Sequence, residues 1–253
     1  MKILAISYLT FKEAVKNKIF YILVFFAFFL IFISIFVGKV AIGAELKVIK
    51  DMGLFIISFF GLLIAIVITI DTISKEIQRR TIYLILSKAI SRTQFVLGKF
   101  SGISLILLTN MFLMTLWYFF ILSQYGENTF LPLIYALALI FFELMLISAI
   151  SLFFSSFTTG FLSGLFTFCI YLIGHSLDNL KLIAYRIEHK FLEKLLLSIY
   201  YIFPNLSFFD LKKEVVYNFP ISLDSVIYPI IYGIAWILLF LIFSIFLFQR
   251  KNL

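Results

Sequence analysis

The sequence predicts an all-α, polytopic integral membrane protein, from its apolar excess, its long apolar runs and its lack of strand-like alternation. Of 253 residues, 63% are hydrophobic, 13% are charged and 34 are Phe. Soluble globular chains are roughly 45–50% apolar and about 25% charged, so a soluble chain of this composition would lack the polar residues to cover its core. Phe also occurs in blocks, such as Phe25-Phe26-Ala27-Phe28-Phe29.

Six apolar runs are long enough to cross a bilayer, which takes about 20 helical residues. Backbone in hydrocarbon must satisfy its own hydrogen bonds, so continuous apolar runs predict helices, and a β-barrel is excluded because they do not alternate. We place the spans at about 19–38, 52–71, 100–122, 131–153, 160–177 and 226–248, in one transmembrane domain of residues 1–253. The first run is too long for a cleaved signal peptide, and we expect it to be retained.

The distribution of Lys and Arg predicts that both termini are cytoplasmic. With that topology, twelve basic residues lie inside and nine outside. The loop at 72–99 holds six of them and the loop at 123–130 holds none. A basic inner face is attracted to anionic lipid. Nucleic-acid binding has no support beyond charge, since the chain carries no binding motif.

Two segments outside the spans have helical amphipathic patterns. Residues 2–18 predict an interfacial helix whose apolar face is formed by Ile3, Leu4, Tyr8, Phe11 and Val15. Residues 178–225 predict an amphipathic outer helix that ends before Pro204. The first segment is either a simple anchor or an element that moves with a partner subunit. The second is either a lid over the spans or an outer gate or partner site.

The loop at 72–99 predicts a helical hairpin. Ser74 is placed to cap a helix that begins at Lys75, and Ser91 is placed to cap a second helix that runs into the third span. A mere connector needs only a handful of residues. The loop therefore docks either a partner protein or the lipid surface.

Glu143 is the one acidic residue well inside a predicted span. A carboxylate at this depth is costly and by default indicates a function. It could contribute to helix packing or a subunit interface, or it could lie on a substrate pathway. In the fifth span, Gly160 and Gly164 are four residues apart, a spacing that is common where two helices approach closely.

Enzymatic motifs are missing from the sequence. There is no G-x-x-x-x-G-K-[ST] to cradle a phosphate and no H-E-x-x-H to bind zinc. An intramembrane enzyme needs at least two cooperating polar groups at depth, and only Glu143 stands out. We therefore predict that the chain is not an enzyme and binds no metal or cofactor itself.

The 72–99 loop carries a resemblance to a known family. Its pattern of Asp71, Glu76, Thr81-Ile82, Leu84, Leu86-Ser87-Lys88, Ile90-Ser91-Arg92 and Leu97-Gly98-Lys99 resembles the cytoplasmic loop of ABC-2 type transporter permeases. The closest similarity is to the multicopper-enzyme-maturation-type branch, supported by Thr10–Ala14 and by Pro204–Asp210. The resemblance covers essentially the whole chain. Arg80 and Ala89 stand where the family usually has Gly and Pro.

The resemblance implies a membrane-spanning permease subunit of an ABC transporter in the cytoplasmic (inner) membrane, and on family grounds alone we expect an exporter rather than an importer. Two permease subunits, identical or paired, would bind two separate ATPase chains, which carry the ATP and Mg. The hairpin would be the coupling helix. Glu76 and Arg79 would make polar contacts with the ATPase, and Ile82 and Leu84 would be apolar anchors. The pathway would run between the two permeases, along spans one, two and five.

Two other classes of function compete with a permease. A membrane scaffold or regulatory subunit would share the spans but need no path between protomers. A secondary transporter would show inverted repeats and several polar residues at the midplane, and neither is visible. The sequence does not identify the substrate: Met, Cys and His are scattered, whereas soft-metal transport needs them in clusters.

Overall fold

The computed structural model describes residues 2–41, 43–78, 91–127, 130–186 and 189–250, with side chains of the second range described as far as residue 73. In these ranges the chain forms nine α-helices and one 3-10 helix, and no strand. They are α1 Lys2–Val15, α2 Lys18–Val40, α3 Glu45–Gln78, α4 Arg92–Gln124, α5 Leu131–Ser155, α6 Gly160–Ala184, α7 Lys190–Ile202, the 3-10 helix Leu206–Phe209, α8 Lys212–Val216 and α9 Asp224–Arg250.

Six of the described helices are long and apolar enough to cross a membrane: α2, α3, α4, α5, α6 and α9. This confirms the predicted polytopic all-α fold. The helices extend past the predicted spans; α3, for example, begins at Glu45 rather than near residue 52. Polar helical turns add length outside the apolar layer, and hydropathy alone does not detect them.

Helix α3 lies at the centre of the bundle. In its most apolar stretch 72% of the residues are buried, against 22% in α2 and 28% in α6 and α9. The outer helices instead expose large apolar side chains such as Phe25, Phe161 and Ile242. In a membrane these side chains face lipid or another subunit, because water would not tolerate so much apolar surface.

Helix α1 packs on α4 through small residues. Gly98 and Gly102 of α4 leave the space that Ile6 and Thr10 fill, since a Cβ on Gly98 would lie 2.7 Å from Ile6 Cβ and one on Gly102 would lie 2.6 Å from Thr10 Cβ. Leu4, Tyr8 and Leu9 are exposed. The predicted apolar face of α1 therefore points largely away from the bundle, as expected of an interfacial helix.

The bundle has two ends. The α1 end holds α1, the end of α3, the starts of α4 and α6 and the end of α9; the α7 end holds α7, the start of α3 and the link between α4 and α5.

At the α1 end, α3 continues without a break to Gln78, so the predicted helix start at Ser74 is wrong. The start at Ser91 is confirmed: Ser91 and Gln94 form a reciprocal capping box.

At the α7 end, the predicted single amphipathic helix is divided. Span α6 runs on to Ala184, and a separate helix, α7, begins at Lys190 and ends before Pro204. Phe191 and Tyr201 of α7 are exposed. The apolar periodicity continued through the break because α6 and α7 both present apolar side chains at helical spacing.

Candidate functional site

An open groove of about 600 Å³ lies between α3 and α6 in the half of the bundle nearer the α1 end. It is lined by Leu63, Ile66, Val67, Ile70, Asp71, Gly160, Phe161, Gly164, Leu165, Phe168 and Cys169. Small residues make the close approach possible: a Cβ on Gly164 would lie 2.9 Å from Ile70 Cδ1. The expected tight helix contact at Gly164 is therefore present, and its partner is α3.

Asp71 is the one acidic residue of the groove lining, at its α1 end. Its Oδ2 accepts a hydrogen bond of 2.9 Å from Asn17 Nδ2. Asn17 also caps α2, because its Oδ1 accepts from the backbone N–H of Ile19 at 2.9 Å. The start of α2 is thus tied to α3 just before the 79–90 stretch.

A buried polar cluster follows the groove toward the α7 end. Glu143 of α5 and His175 of α6 share a hydrogen bond of 2.7 Å between Oε1 and Nε2. The Glu143 side chain is 2% exposed and the His175 side chain 24%. The Tyr171 ring packs edge-on against the imidazole at a centroid distance of 4.7 Å, and its hydroxyl lies near Ser58 of α3. The cluster thus joins three spans.

The segment of residues 203–218 packs over this cluster. Leu206 is fully buried on Gly174, where a Cβ would lie 2.7 Å from Leu206 Cγ. Phe209 packs on Gly233 of α9 in the same way, with its Cζ 2.9 Å from the position of a Cβ. Asn205 Nδ2 donates to Asp178 Oδ1 at 2.7 Å. The 203–218 segment therefore lies against α6 at Gly174 and Asp178 and against α9 at Gly233.

The far part of the 203–218 segment is anchored on a buried ion pair. Lys50 of α3 pairs with Glu127 in the link after α4, and their side chains are 2% and 5% exposed. Lys50 Nζ also donates to Asn218 Oδ1 at 3.4 Å. The Tyr118 hydroxyl donates to the Lys50 carbonyl at 2.9 Å. Both charged groups of the pair are therefore shielded from water.

The start of α4 is fastened to α9. Arg92 Nη1 donates to the carbonyl oxygens of Phe248 at 2.5 Å and Gln249 at 2.9 Å. These carbonyls lie in the last turn of α9, where no backbone N–H of the helix is available to donate to them. The 79–90 stretch is therefore flanked by α3, which is tied to α2, and by α4, which is tied to α1 and α9.

Of the five residues singled out from the sequence, the structure describes the surroundings of Glu143 alone. Glu76 lies on the last turns of α3, but its side chain, with Arg79, Ile82 and Leu84, lies outside the described part. Within the described ranges, His, Cys, Asp and Glu do not gather in groups of three or more that could hold a metal ion.

The chain matches a protein family over almost its whole length. The family model described as ABC-2 family transporter protein covers residues 4–253. The chain belongs to this family. No curated protein matches it. As an ABC-2 family member with six apolar spanning helices, it is a multi-pass membrane protein and a membrane permease subunit of an ABC transporter. The multicopper-enzyme-maturation branch stays a prediction.

The pairing of Glu143 with His175 was missed by the sequence analysis of this ABC-2 permease. The two residues are 32 positions apart and on different spans, so no local motif joins them. The available signal was their depth: both lie inside helices long enough to cross the membrane, and an ionisable group at such depth takes a partner.

Proposed function

We propose that the chain is one of two permease subunits of an ABC exporter and that the α3–α6 groove is part of the pathway between them. A separate ATPase chain supplies the energy, since the sequence has no phosphate-binding motif. The observation that carries this proposal is the groove itself. It lies along spans two and five, where the family resemblance puts the pathway, and the polar cluster and the 203–218 segment follow it along α6 toward the α7 end.

The α1 end is proposed to be cytoplasmic. This end carries the basic loop at 72–99 and both termini of the described bundle, and Lys and Arg near span ends favour the cytoplasmic side. ATP is cytoplasmic, so a partner ATPase must bind at this end. The groove then opens in the inner half of the membrane. Its almost wholly apolar lining suits an apolar surface on the transported molecule.

The ATPase is proposed to bind the 79–90 stretch and the turn of α3 before it. The contacts at its flanks support this site, because Asn17–Asp71 and Arg92–α9 would pass a displacement of the stretch to α2 and α9. Glu76 and Arg79 are the proposed polar contacts, and Ile82 and Leu84 the apolar ones. A stretch without such ties could move without affecting the spans.

The test is affinity purification of the tagged chain from its own host membranes in mild detergent. Residues 79–90 are replaced by a neutral linker of equal length, which leaves the Ser91 cap and Arg92 in place. Milder variants are Glu76→Gln and Arg79→Gln, with Lys47→Gln at the opposite end of α3 as the matched control. Bound nucleotide-hydrolysing subunits and ATP turnover are measured.

We expect an ATPase to accompany the parent and Lys47→Gln, to be reduced in the two point variants and to be lost with the linker. Recovery of an ATPase with the linker variant would refute the proposed docking site. A folded parent that brings down no ATPase would refute the transport proposal and favour a membrane scaffold.

A further inference from the structure

We propose that the Glu143–His175 contact is a latch that holds the 203–218 segment over the end of the groove and opens during transport. This inference rests on the proposed transport function. It assigns a role to the one buried acidic residue at mid-span, for which the sequence left packing and pathway as alternatives. The latch makes Glu143 and His175 positioning residues for the segment, not residues that touch the substrate.

The order of features along α6 supports a closure. The groove ends at Cys169, the latch is at Tyr171 and His175, and the 203–218 segment sits on Gly174 and Asp178. Since each helical residue rises about 1.5 Å, these three features follow one another within about 14 Å. A molecule moving along α6 from the groove toward the α7 end would meet Tyr171 first and then the latch and the segment together, since Gly174 and His175 are adjacent.

The latch is coupled to the segment through one helical turn. The backbone carbonyl of His175 accepts a hydrogen bond of 3.3 Å from the Ser207 hydroxyl. Gly174, the preceding residue, is in direct contact with Leu206, and Asp178 holds Asn205 at 2.7 Å. Displacement of the His175 turn from α5 would therefore carry all three contacts with it.

Two of the segment's attachments, at Asn218 and at the latch, differ in burial, whereas Phe209 also packs on Gly233 of α9. At the Asn218 attachment, Lys50 and Glu127 are 2% and 5% exposed, so separating them would leave two charges without water. At the latch, Glu143 is 2% exposed but His175 is 24% exposed, so only one group of this pair is shut off from water, and water can replace the contact on the His175 side when the turn moves. The segment would accordingly pivot at the Asn218 attachment and release at the latch.

The test is cysteine accessibility in the full chain in lipid nanodiscs, where both faces are open to reagent. Cys169 is the only cysteine, so Cys169→Ser gives a cysteine-free parent. Ser58→Cys is the reporter, because Ser58 is 2% exposed and lies near Tyr171 beside the latch. Ser222→Cys is an exposed reference and Ser34→Cys a buried one on α2. Labelling by a charged maleimide is followed over time.

We expect Glu143→Gln to raise the labelling rate at Ser58→Cys about tenfold, equivalent to about 1.4 kcal/mol of opening free energy. Rates at Ser222→Cys and Ser34→Cys should stay unchanged. The matched controls Glu193→Gln and His189→Gln alter a half-buried and an exposed residue of the α7 region and should leave all three rates as in the parent.

A double variant distinguishes opening of the latch from misfolding. Glu143→Leu with His175→Phe replaces the pair by apolar side chains of similar volume, an exchange that is often neutral or stabilising. We expect it to fold and to show the same rise at Ser58→Cys. An unchanged rate in the folded double variant would overturn the latch, and so would an equal rise at Ser34→Cys, which indicates general loosening. Labelling needs no ATPase, so failure of the purification test is distinguishable from failure of the latch.

Discussion

The buried Lys50–Glu127 pair gives the sharpest stability prediction. Lys50→Met keeps most of the apolar stem but removes the charge and leaves Glu127 at 5% exposure. Breaking a buried pair from one side costs about 3–5 kcal/mol. The Glu127 carboxylate that remains is 5% exposed, so water compensates little for the lost ammonium, and we expect a loss within this range. Adding Glu127→Gln removes the remaining charge and should recover most of the loss.

Reversible unfolding in mixed micelles, followed by helix content, measures these changes for both variants. The matched control is Lys47→Met, one turn earlier on α3, where the ammonium is exposed and lies 5.4 Å from the ring centre of Tyr217. Losing that contact should cost about 0.5–1 kcal/mol. A loss at Lys50→Met no larger than that of the control, or a double variant less stable than the single one, would refute the reasoning.

Three further predictions concern the α1 end. Gly102→Ala places a methyl group 2.6 Å from Thr10 Cβ, so overpacking should cost about 1–3 kcal/mol, measured by unfolding against Leu105→Ala on the exposed side of α4. Arg92→Gln removes the guanidinium that binds the last carbonyls of α9, and hydrogen exchange should speed up in the last turn of α9 alone. Asn17→Ala removes both the α2 cap and the bond to Asp71 and should cost about 1 kcal/mol or more, whereas Asn17→Ser keeps the cap and should lose less.

Local signals predicted the spans and some of their ends. The six apolar runs became six helices, and Ser91 caps α4 as its position indicated. Ser74 failed as a helix start because α3 already had helical backbone before it, and a cap forms only where the preceding residues are not helical. The break between α6 and α7 was missed because apolar spacing continued on both sides.

Side-chain partners were beyond local signals. The face of α1 that packs on α4 carries Ile6 and Thr10. These side chains approach closely because Gly98 and Gly102 of α4 leave room for them. In hydrocarbon the apolar face gains nothing from protein contact that lipid does not also supply. Hydropathy therefore identified the amphipathic helix α1 and did not show which of its faces meets the bundle.

The sequence by itself determined the six helices of the described ranges that are long and apolar enough to span a membrane, because the cost of burying a helix in lipid depends on composition and length. It also determined the ABC-2 resemblance, which the family match over residues 4–253 supports. Only the tertiary structure decided that Glu143 meets His175, that Lys50 meets Glu127 and that the 203–218 segment closes over α6. These contacts join residues far apart in the chain, and which of them form depends on how the helices pack together.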